Sequence, residues 1–101
     1  MSTNALIKVE SLPGVGLYKH HDGYPEATLP WLEKFNKKFT ERRGKDPQYK
    51  FAQLIRSSAF DQKEFRLAPS RESGWGVVCG DEWVCHYEYV LKDDGTVKIQ
   101  E

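Results

Sequence analysis

The clearest pattern in the chain is an alternation of large apolar and smaller or polar side chains over residues 83–92. One set of alternate positions holds Trp83, Cys85, Tyr87, Tyr89 and Leu91, and the other holds Val84, His86, Glu88 and Val90. Because successive side chains of a strand point to opposite faces, this period of two predicts a strand whose ring-bearing face lies in the core. The face with His86 and Glu88 is expected to be solvated or to belong to a site.

Shorter alternations predict four further strands. Residues 5–10 and 16–20 flank a Pro13-Gly14 turn and predict an antiparallel hairpin. Residues 75–79 predict a strand that turns at residues 80–82 into the long strand. Asp94-Gly95 then predicts a type I′ turn, with positive φ at both central positions, into a last strand over residues 96–100. The last three strands are expected to form a meander, which the N-terminal hairpin joins.

Two amphipathic helices are predicted between the hairpin and the meander. Thr28 is the expected cap of the first helix, and Gly44 is its expected end. Trp31, Leu32, Phe35 and Phe39 give that helix an apolar stripe. Asp46-Pro47 repeats the start signal for the second helix, and the short connection indicates an antiparallel pair or a sharp corner. Residues 61–73 predict a short helix and a loop.

The predicted order is ββααβββ, which favours an α+β two-layer sandwich. Its largely antiparallel five-stranded sheet would carry both helices on one face. A length of 101 residues predicts one domain spanning residues 1–101.

Composition removes several functional classes. Fifteen Lys and Arg balance fifteen Asp and Glu, so overall charge gives no argument for nucleic acid or an anionic membrane. No apolar run approaches the roughly 20 residues of a membrane span, and the first residues lack the apolar core of a signal peptide. We therefore expect a cytoplasmic protein without a cofactor.

Cys79, Cys85 and His86 suggest a zinc site at first sight. Their Cys-x5-Cys-His spacing is not that of a zinc knuckle, and Cys85 and His86 point to opposite faces of the predicted strand. We expect no metal, and two reduced thiols rather than a disulfide.

The segment from residue 20 to residue 26 is the most distinctive polar stretch. Its His20, His21, Asp22 and Glu26 could supply a general base or metal ligands, although strand alternation points the two imidazoles apart, which is a poor geometry for shared ligation. The favoured interpretation is a turn in which Asp22 accepts backbone N–H groups, Gly23 takes positive φ and Tyr24 covers the edge of the core.

A proton-transfer site is a further hypothesis. If residues 16–20 pair near the long strand, Tyr18 and His20 would join His86 and Glu88 on one face. The alternative is a solvated sheet face that carries a polar cross-strand ladder.

Charge is unevenly distributed along the chain. Residues 33–45 carry a net charge of +4 and residues 72–101 a net charge of −5. The basic side chains of the first helix are Lys34, Lys37, Lys38, Arg42, Arg43 and, just after it, Lys45. They could contact phosphates, form an ordinary solvated face, or meet the acidic hairpin of a second copy.

Residues 17–26, Leu-Tyr-Lys-His-His-Asp-Gly-Tyr-Pro-Glu, resemble a Tyr-[Lys/Arg]-His-x-Asp-Gly-Tyr-Pro stretch of small uncharacterised proteins from bacteria, archaea and phages. Residues 49–55, 87–90 and 93–95 fit the same group. The resemblance implies a prokaryotic or viral origin. The group has no established activity, so the resemblance implies no functional residue.

Three functions remain, in a definite order. The first is a non-enzymatic module that binds another macromolecule or itself. Its expected exposed anchors are Tyr24, Trp31 or Trp75, and Asp22 is a further predicted binding residue. The second is a small-ligand protein or enzyme that uses Tyr18, His20, His21, His86 and Glu88. The third is a nucleic-acid binder that uses Lys34, Lys37, Lys38, Arg42 and Arg43.

Overall fold

The computed structural model describes residues 3–60, 74–80 and 84–100, apart from the side chains of residues 59 and 60. Within these ranges the elements are β1 (Ala5–Val9), β2 (Val15–Lys19), α1 (Pro25–Arg43), α2 (Pro47–Phe60), β3 (Trp75–Cys79), β4 (Tyr87–Leu91) and β5 (Val97–Gln100). The predicted ββααβββ order and α+β class are confirmed. The helix and loop predicted for residues 61–73, the turn at residues 81–82 and Trp83 lie outside the described residues.

The strands form one sheet in the order β3-β2-β1-β4-β5. Three of its pairings are antiparallel, whereas β1 and β4 run parallel, with Ala5 opposite Tyr87 and Val9 opposite Leu91. The prediction of a largely antiparallel sheet is confirmed. The predicted C-terminal meander is wrong, because the N-terminal hairpin lies between β3 and β4.

The core lies between this sheet and the two helices. Ile7 of β1 and Tyr89 of β4 pack in one cluster with Leu32 of α1 and Leu54 of α2. Each such side chain contributes about 1.5–3 kcal/mol of hydrophobic stabilisation when it is fully buried. Both helices therefore cover the same face of the sheet, as predicted. Tyr89 of β4 is buried on that face.

Helix α1 begins three residues before its predicted cap. Pro25 takes the first helical position, where its missing N–H costs little, and the Tyr24 carbonyl accepts the Thr28 N–H at 3.1 Å. Thr28 is buried inside the helix instead of capping it, and its hydroxyl donates to the Asp22 carbonyl at 2.8 Å. A side chain that looked like a cap therefore ties the helix to the preceding loop.

The junction between the helices follows the prediction. Gly44 ends α1 with φ 65°, and the Asp46 carboxylate accepts the Tyr49 N–H at 3.4 Å at the start of α2. At the far end, Trp31 Nε1 donates to Ser57 Oγ at 3.0 Å. Contacts at both ends show that the two helices run antiparallel.

Strand β4 is shorter than predicted because a side chain interrupts the ladder. Asn4 Oδ1 accepts the His86 N–H at 2.9 Å, and the Asn4 N–H donates to His86 Nδ1 at 3.2 Å. These two bonds stand where the next backbone pair would be. The strand begins at Tyr87, so Cys85 and His86 lie before it.

The connection between β4 and β5 is a three-residue loop rather than the predicted type I′ turn. Of Asp94 and Gly95, only Gly95 has positive φ, at 97°. The Lys92 N–H donates to the Thr96 carbonyl at 2.9 Å, and the Gly95 N–H donates to the Lys92 carbonyl at 3.2 Å. One left-handed residue suffices for a loop of this length.

Gly23 is required by close approach and not by conformation. The predicted positive φ belongs to Asp22, at 55°. A Cβ on Gly23 would lie 2.7 Å from the Asn4 carbonyl carbon and 2.8 Å from the Ala5 nitrogen. The Gly23 carbonyl also accepts the Tyr89 hydroxyl at 2.6 Å. The loop into α1 is therefore docked on the start of β1.

Gly23→Ala is expected to lower the free energy of unfolding by about 1–3 kcal/mol, because the added methyl meets backbone that cannot move aside. Gly76→Ala is the matched control, since an added Cβ there meets nothing within 4 Å. It should leave the free energy of unfolding unchanged or raise it by up to about 1 kcal/mol, because Ala loses less backbone entropy than Gly on folding. Urea unfolding measures both, and equal destabilisation by the two substitutions would contradict the docking.

Lys50 of α2 is a buried cation at 1% exposure. Its Nζ donates to the Lys92 carbonyl at 3.2 Å and lies 5.5 Å from the centre of the Phe39 ring. Burial lowers the pKa of Lys50, and the nearby carboxylates of Asp93 and Glu10 oppose that shift. The folded chain therefore holds this proton less tightly than the unfolded chain.

A comparison with Lys50→Met tests this buried charge. The quantity to compare is the free energy of unfolding of the wild type minus that of the variant. This difference should rise with pH, from the lowered pKa of folded Lys50 up to 10.5, the ordinary pKa of a lysine. In that window the unfolded state binds more protons than the folded state. Urea unfolding of both proteins from neutral pH to 10.5 measures the difference. A difference that stayed constant or fell would show that Lys50 is not desolvated.

Candidate functional site

A groove of about 760 Å³ lies between α1 and α2, and all of its lining residues within the described ranges belong to these two helices. Five of them are basic, namely Lys34, Lys38, Arg42, Arg43 and Arg56. Four are aromatic, namely Trp31, Phe35, Phe39 and Tyr49. Gln53 and Ser57 complete the lining, which contains no carboxylate among the described residues. We call this surface the basic aromatic groove.

The spacing along α1 sets the two chemistries in adjacent rows. One row is Trp31, Phe35 and Phe39, and the other is Lys34, Lys38 and Arg42. Both rows advance four residues at a time, which is about 6 Å along a helix axis per step. A row of positive charge therefore runs beside a row of rings for about 12 Å.

Mutual contacts hold the rings of the groove in place. The Phe35 and Phe39 rings stack with their centres 6.1 Å apart, and the Phe39 and Tyr49 rings lie 5.9 Å apart. Phe39 is buried beneath them, whereas Tyr49 is 41% exposed. The floor of the groove is therefore preformed, and one ring at its rim is open to a ligand.

The cations of the groove differ in their surroundings. The Arg43 guanidinium lies 4.2 Å from the centre of the Tyr49 ring and 3.4 Å from Asp46 Oδ2. Lys34, Lys38 and Arg42 are exposed, and no ion pair joins them to another residue in the part of the chain that the structure describes. Their positive potential is therefore not cancelled by a described neighbour.

The groove overlaps the predicted basic face without matching it. Lys37 points elsewhere and lines a second cavity with Thr40 and Asp94. Arg56 and Tyr49 were not predicted as site residues, because both come from α2 and reach the groove only through the antiparallel packing of the helices. In the sequence, only the run of basic residues in α1 and the aromatic residue at the start of α2 could have indicated this groove.

The predicted proton-transfer residues are only partly brought together. Tyr18 Oη and His20 Nδ1 are 2.7 Å apart. The His20 and His21 rings meet edge to face at 4.6 Å, so the prediction that the imidazoles point apart is wrong. Strand β2 ends at Lys19, and the alternation that separated them ends with it.

His86 and Glu88 make no direct hydrogen bond to Tyr18 or His20 among the described contacts. Asn4 connects His86 to Tyr18, because its Nδ2 donates to Tyr18 Oη at 3.4 Å. Glu88 is engaged elsewhere, with an oxygen 3.2 Å from Lys8 Nζ. The result is a chain of hydrogen bonds from His86 through Asn4 and Tyr18 to His20, on the sheet face opposite the helices. The Glu88 carboxylate pairs with Lys8 instead of joining this chain.

The predicted aromatic anchors have mixed positions. Tyr24 is exposed, and Asp22 beside it holds α1 through its carbonyl group. Trp31 and Trp75 are half-buried and meet edge to face at 5.6 Å, so neither is the exposed anchor that was expected. Lys19 Nζ lies 5.1 Å from the centre of the Trp75 ring. Trp75 is thus a packing residue, and Trp31 forms one end of the groove.

The remaining chemistry is limited. Cys79 and Cys85 are free thiols, and burial raises the pKa of Cys85. Among the described residues, no group of three or more His, Cys, Asp and Glu side chains is arranged to hold a metal ion. No helix in the described ranges is long and apolar enough to cross a membrane.

Comparisons with known proteins add no identification. No family model, no curated protein and no solved structure matches the chain. The resemblance of residues 17–26 to the bacterial, archaeal and phage group stays a prediction. The basic aromatic groove is therefore the site on which a functional argument can be built.

Proposed function

We propose that the protein is a non-enzymatic module that binds an anionic macromolecule in the basic aromatic groove. The observation that carries this proposal is the row of Lys34, Lys38 and Arg42 beside partly exposed rings, with no carboxylate in the described lining. Clustered cations release bound counterions from a polyanion, and rings add contact area at little cost in conformational entropy.

Because the chain as a whole is neutral, its attraction for an anionic partner must come from the basic aromatic groove. Fifteen basic and fifteen acidic side chains cancel across the chain, so attraction depends on the groove. Carboxylates concentrate in the C-terminal third of the sequence. Such a separation of charge orients an approaching partner more than it raises affinity.

Binding of a second copy through that acidic region receives less support. Glu88 Oε1 lies 3.2 Å from Lys8 Nζ, and Asp93 Oδ2 lies 3.7 Å from Lys45 Nζ. Asp93 Oδ2 also accepts the Ser11 hydroxyl at 2.6 Å. Carboxylates that already have partners inside the chain have less to gain from the groove of a second copy, which favours a separate partner.

An enzyme or small-ligand protein is the second candidate. The 2.7 Å contact between Tyr18 Oη and His20 Nδ1 favours it. Proton transfer also needs a base or acid within reach of the reacting group. Glu88, the predicted carboxylate, is paired with Lys8 instead, so this candidate ranks below the groove.

Two double variants with equal charge change test the proposal. Lys34→Gln/Lys38→Gln removes two charges from the groove, and Lys37→Gln/Lys98→Gln removes two charges outside it. We expect the wild type to bind at least one of polyphosphate, polyglutamate and oligo(dT) at low salt. The groove variant should bind more weakly, with a salt slope smaller by about 0.7–0.9 for each lost contact. The control variant should keep the wild-type slope.

Fluorescence anisotropy at several salt concentrations measures these slopes. The proposal fails if none of the three polyanions binds at low salt. It also fails if the two double variants lose affinity equally, since the effect would then come from net charge and not from the groove.

A further inference from the structure

We infer that the anionic macromolecule is a single-stranded nucleic acid, whose bases stack on the rings of the groove while its phosphates follow the cations of α1. This inference rests on the proposed function and narrows its ligand to one chemical class. It depends on the pitch of the two rows, on the type of apolar side chain in the groove and on the Arg43–Tyr49 pair.

The pitch of the rows suits an extended strand. Lys34, Lys38 and Arg42 repeat about every 6 Å along α1, whereas a nucleotide in stacked duplex DNA advances about 3.4 Å. A strand whose bases are unstacked is longer per nucleotide. Successive phosphates of such a strand can meet successive cations, and the bases can turn toward the partly exposed side chains of Trp31, Phe35 and Tyr49.

The apolar lining of the groove is entirely aromatic. Among its described side chains there is no Leu, Ile, Val or Met. Grooves that accept an amphipathic peptide helix are hydrophobic slots for apolar anchors spaced three or four residues apart. Base stacking instead requires an aromatic face and accepts any base, because every base has a π-face. The lining therefore favours a nucleic acid over an acidic peptide.

Arg43 and Tyr49 form the most accessible stacking element. The guanidinium lies 4.2 Å from the centre of the Tyr49 ring, and the Tyr49 residue is 41% exposed. Both tyrosine rings and guanidinium planes stack on unpaired bases. Gln53, on the same helix as Tyr49, lines the groove and offers an amide to a base edge.

A duplex fits this surface less well than a single strand. Paired bases are stacked on each other and cannot reach the rings, so a duplex could use only the phosphate contacts. Because phosphate contacts and stacking both tolerate any sequence, binding should show little base preference.

The decisive experiment compares ligands and ring substitutions together. Fluorescence anisotropy would measure binding of an oligo(dT) of about 12 nucleotides, within the site size of single-strand binders. A duplex of the same length, polyphosphate and polyglutamate serve as competitors, each compared at an equal total concentration of negative charge. We expect oligo(dT) to bind most tightly. Tyr49→Leu should weaken oligo(dT) by about 5- to 150-fold and leave polyphosphate binding unchanged.

Tyr49→Phe is the conservative counterpart, because it keeps the ring, and it should bind oligo(dT) more tightly than Tyr49→Leu does. If Tyr49→Leu does not fold, as judged by the absence of a cooperative unfolding transition, Phe35→Leu tests another ring of the groove in the same way. A loss of oligo(dT) affinity that is confined to the leucine variants supports the inference.

Other outcomes overturn it in distinguishable ways. If polyphosphate binds as tightly as oligo(dT), or the leucine variants bind oligo(dT) like the wild type, stacking is absent and only the proposed function survives. Tighter binding of polyglutamate would make the partner an acidic protein. Tighter binding of the duplex would make the groove a reader of the double-stranded backbone. Failure of every polyanion to bind removes the proposed function as well.

Discussion

The parallel pairing of β1 with β4 is the interaction on which the rest of the structure depends. It makes β1 the central strand, with Ala5, Leu6, Ile7 and Val9 at most 2% exposed. It also brings Tyr89 under the loop before α1, where its hydroxyl holds the Gly23 carbonyl. The start of α1 is therefore fixed by the same strands that form the centre of the sheet.

Buried polar side chains hold the other end of the helix pair. Asn36 of α1 donates to the Lys92 carbonyl at 3.0 Å and to the Thr96 carbonyl at 2.8 Å, and Lys50 of α2 reaches the same Lys92 carbonyl. Both helices are thus attached to the loop between β4 and β5. A groove between two elements held in this way is preformed, which lowers the cost of ordering its side chains when a ligand binds.

Local patterns in the sequence predict most of the helices and strands, but they do not predict which distant strands pair. Alternation identifies the buried face of β4, and Gly44 and Asp46 mark the helix ends, because each depends on a few neighbouring residues. Nothing local shows that Asn4 will meet His86 across 82 residues, or that β1 will run parallel to β4. The cations of α1 were predicted for the same local reason, whereas Arg56 joins them only after the helices pack.

The central position of β1 has a consequence for how the chain is made. During translation β4 follows its partner β1 some 80 residues later, about 4–16 s at ordinary elongation rates. Until then the hairpin of β1 and β2 has an open edge, rich in aliphatic side chains and protected mainly by the charge of Lys8. Newly synthesised chains are therefore expected to fold slowly for their size, because the central strand pair cannot form before residues 87–91 are made.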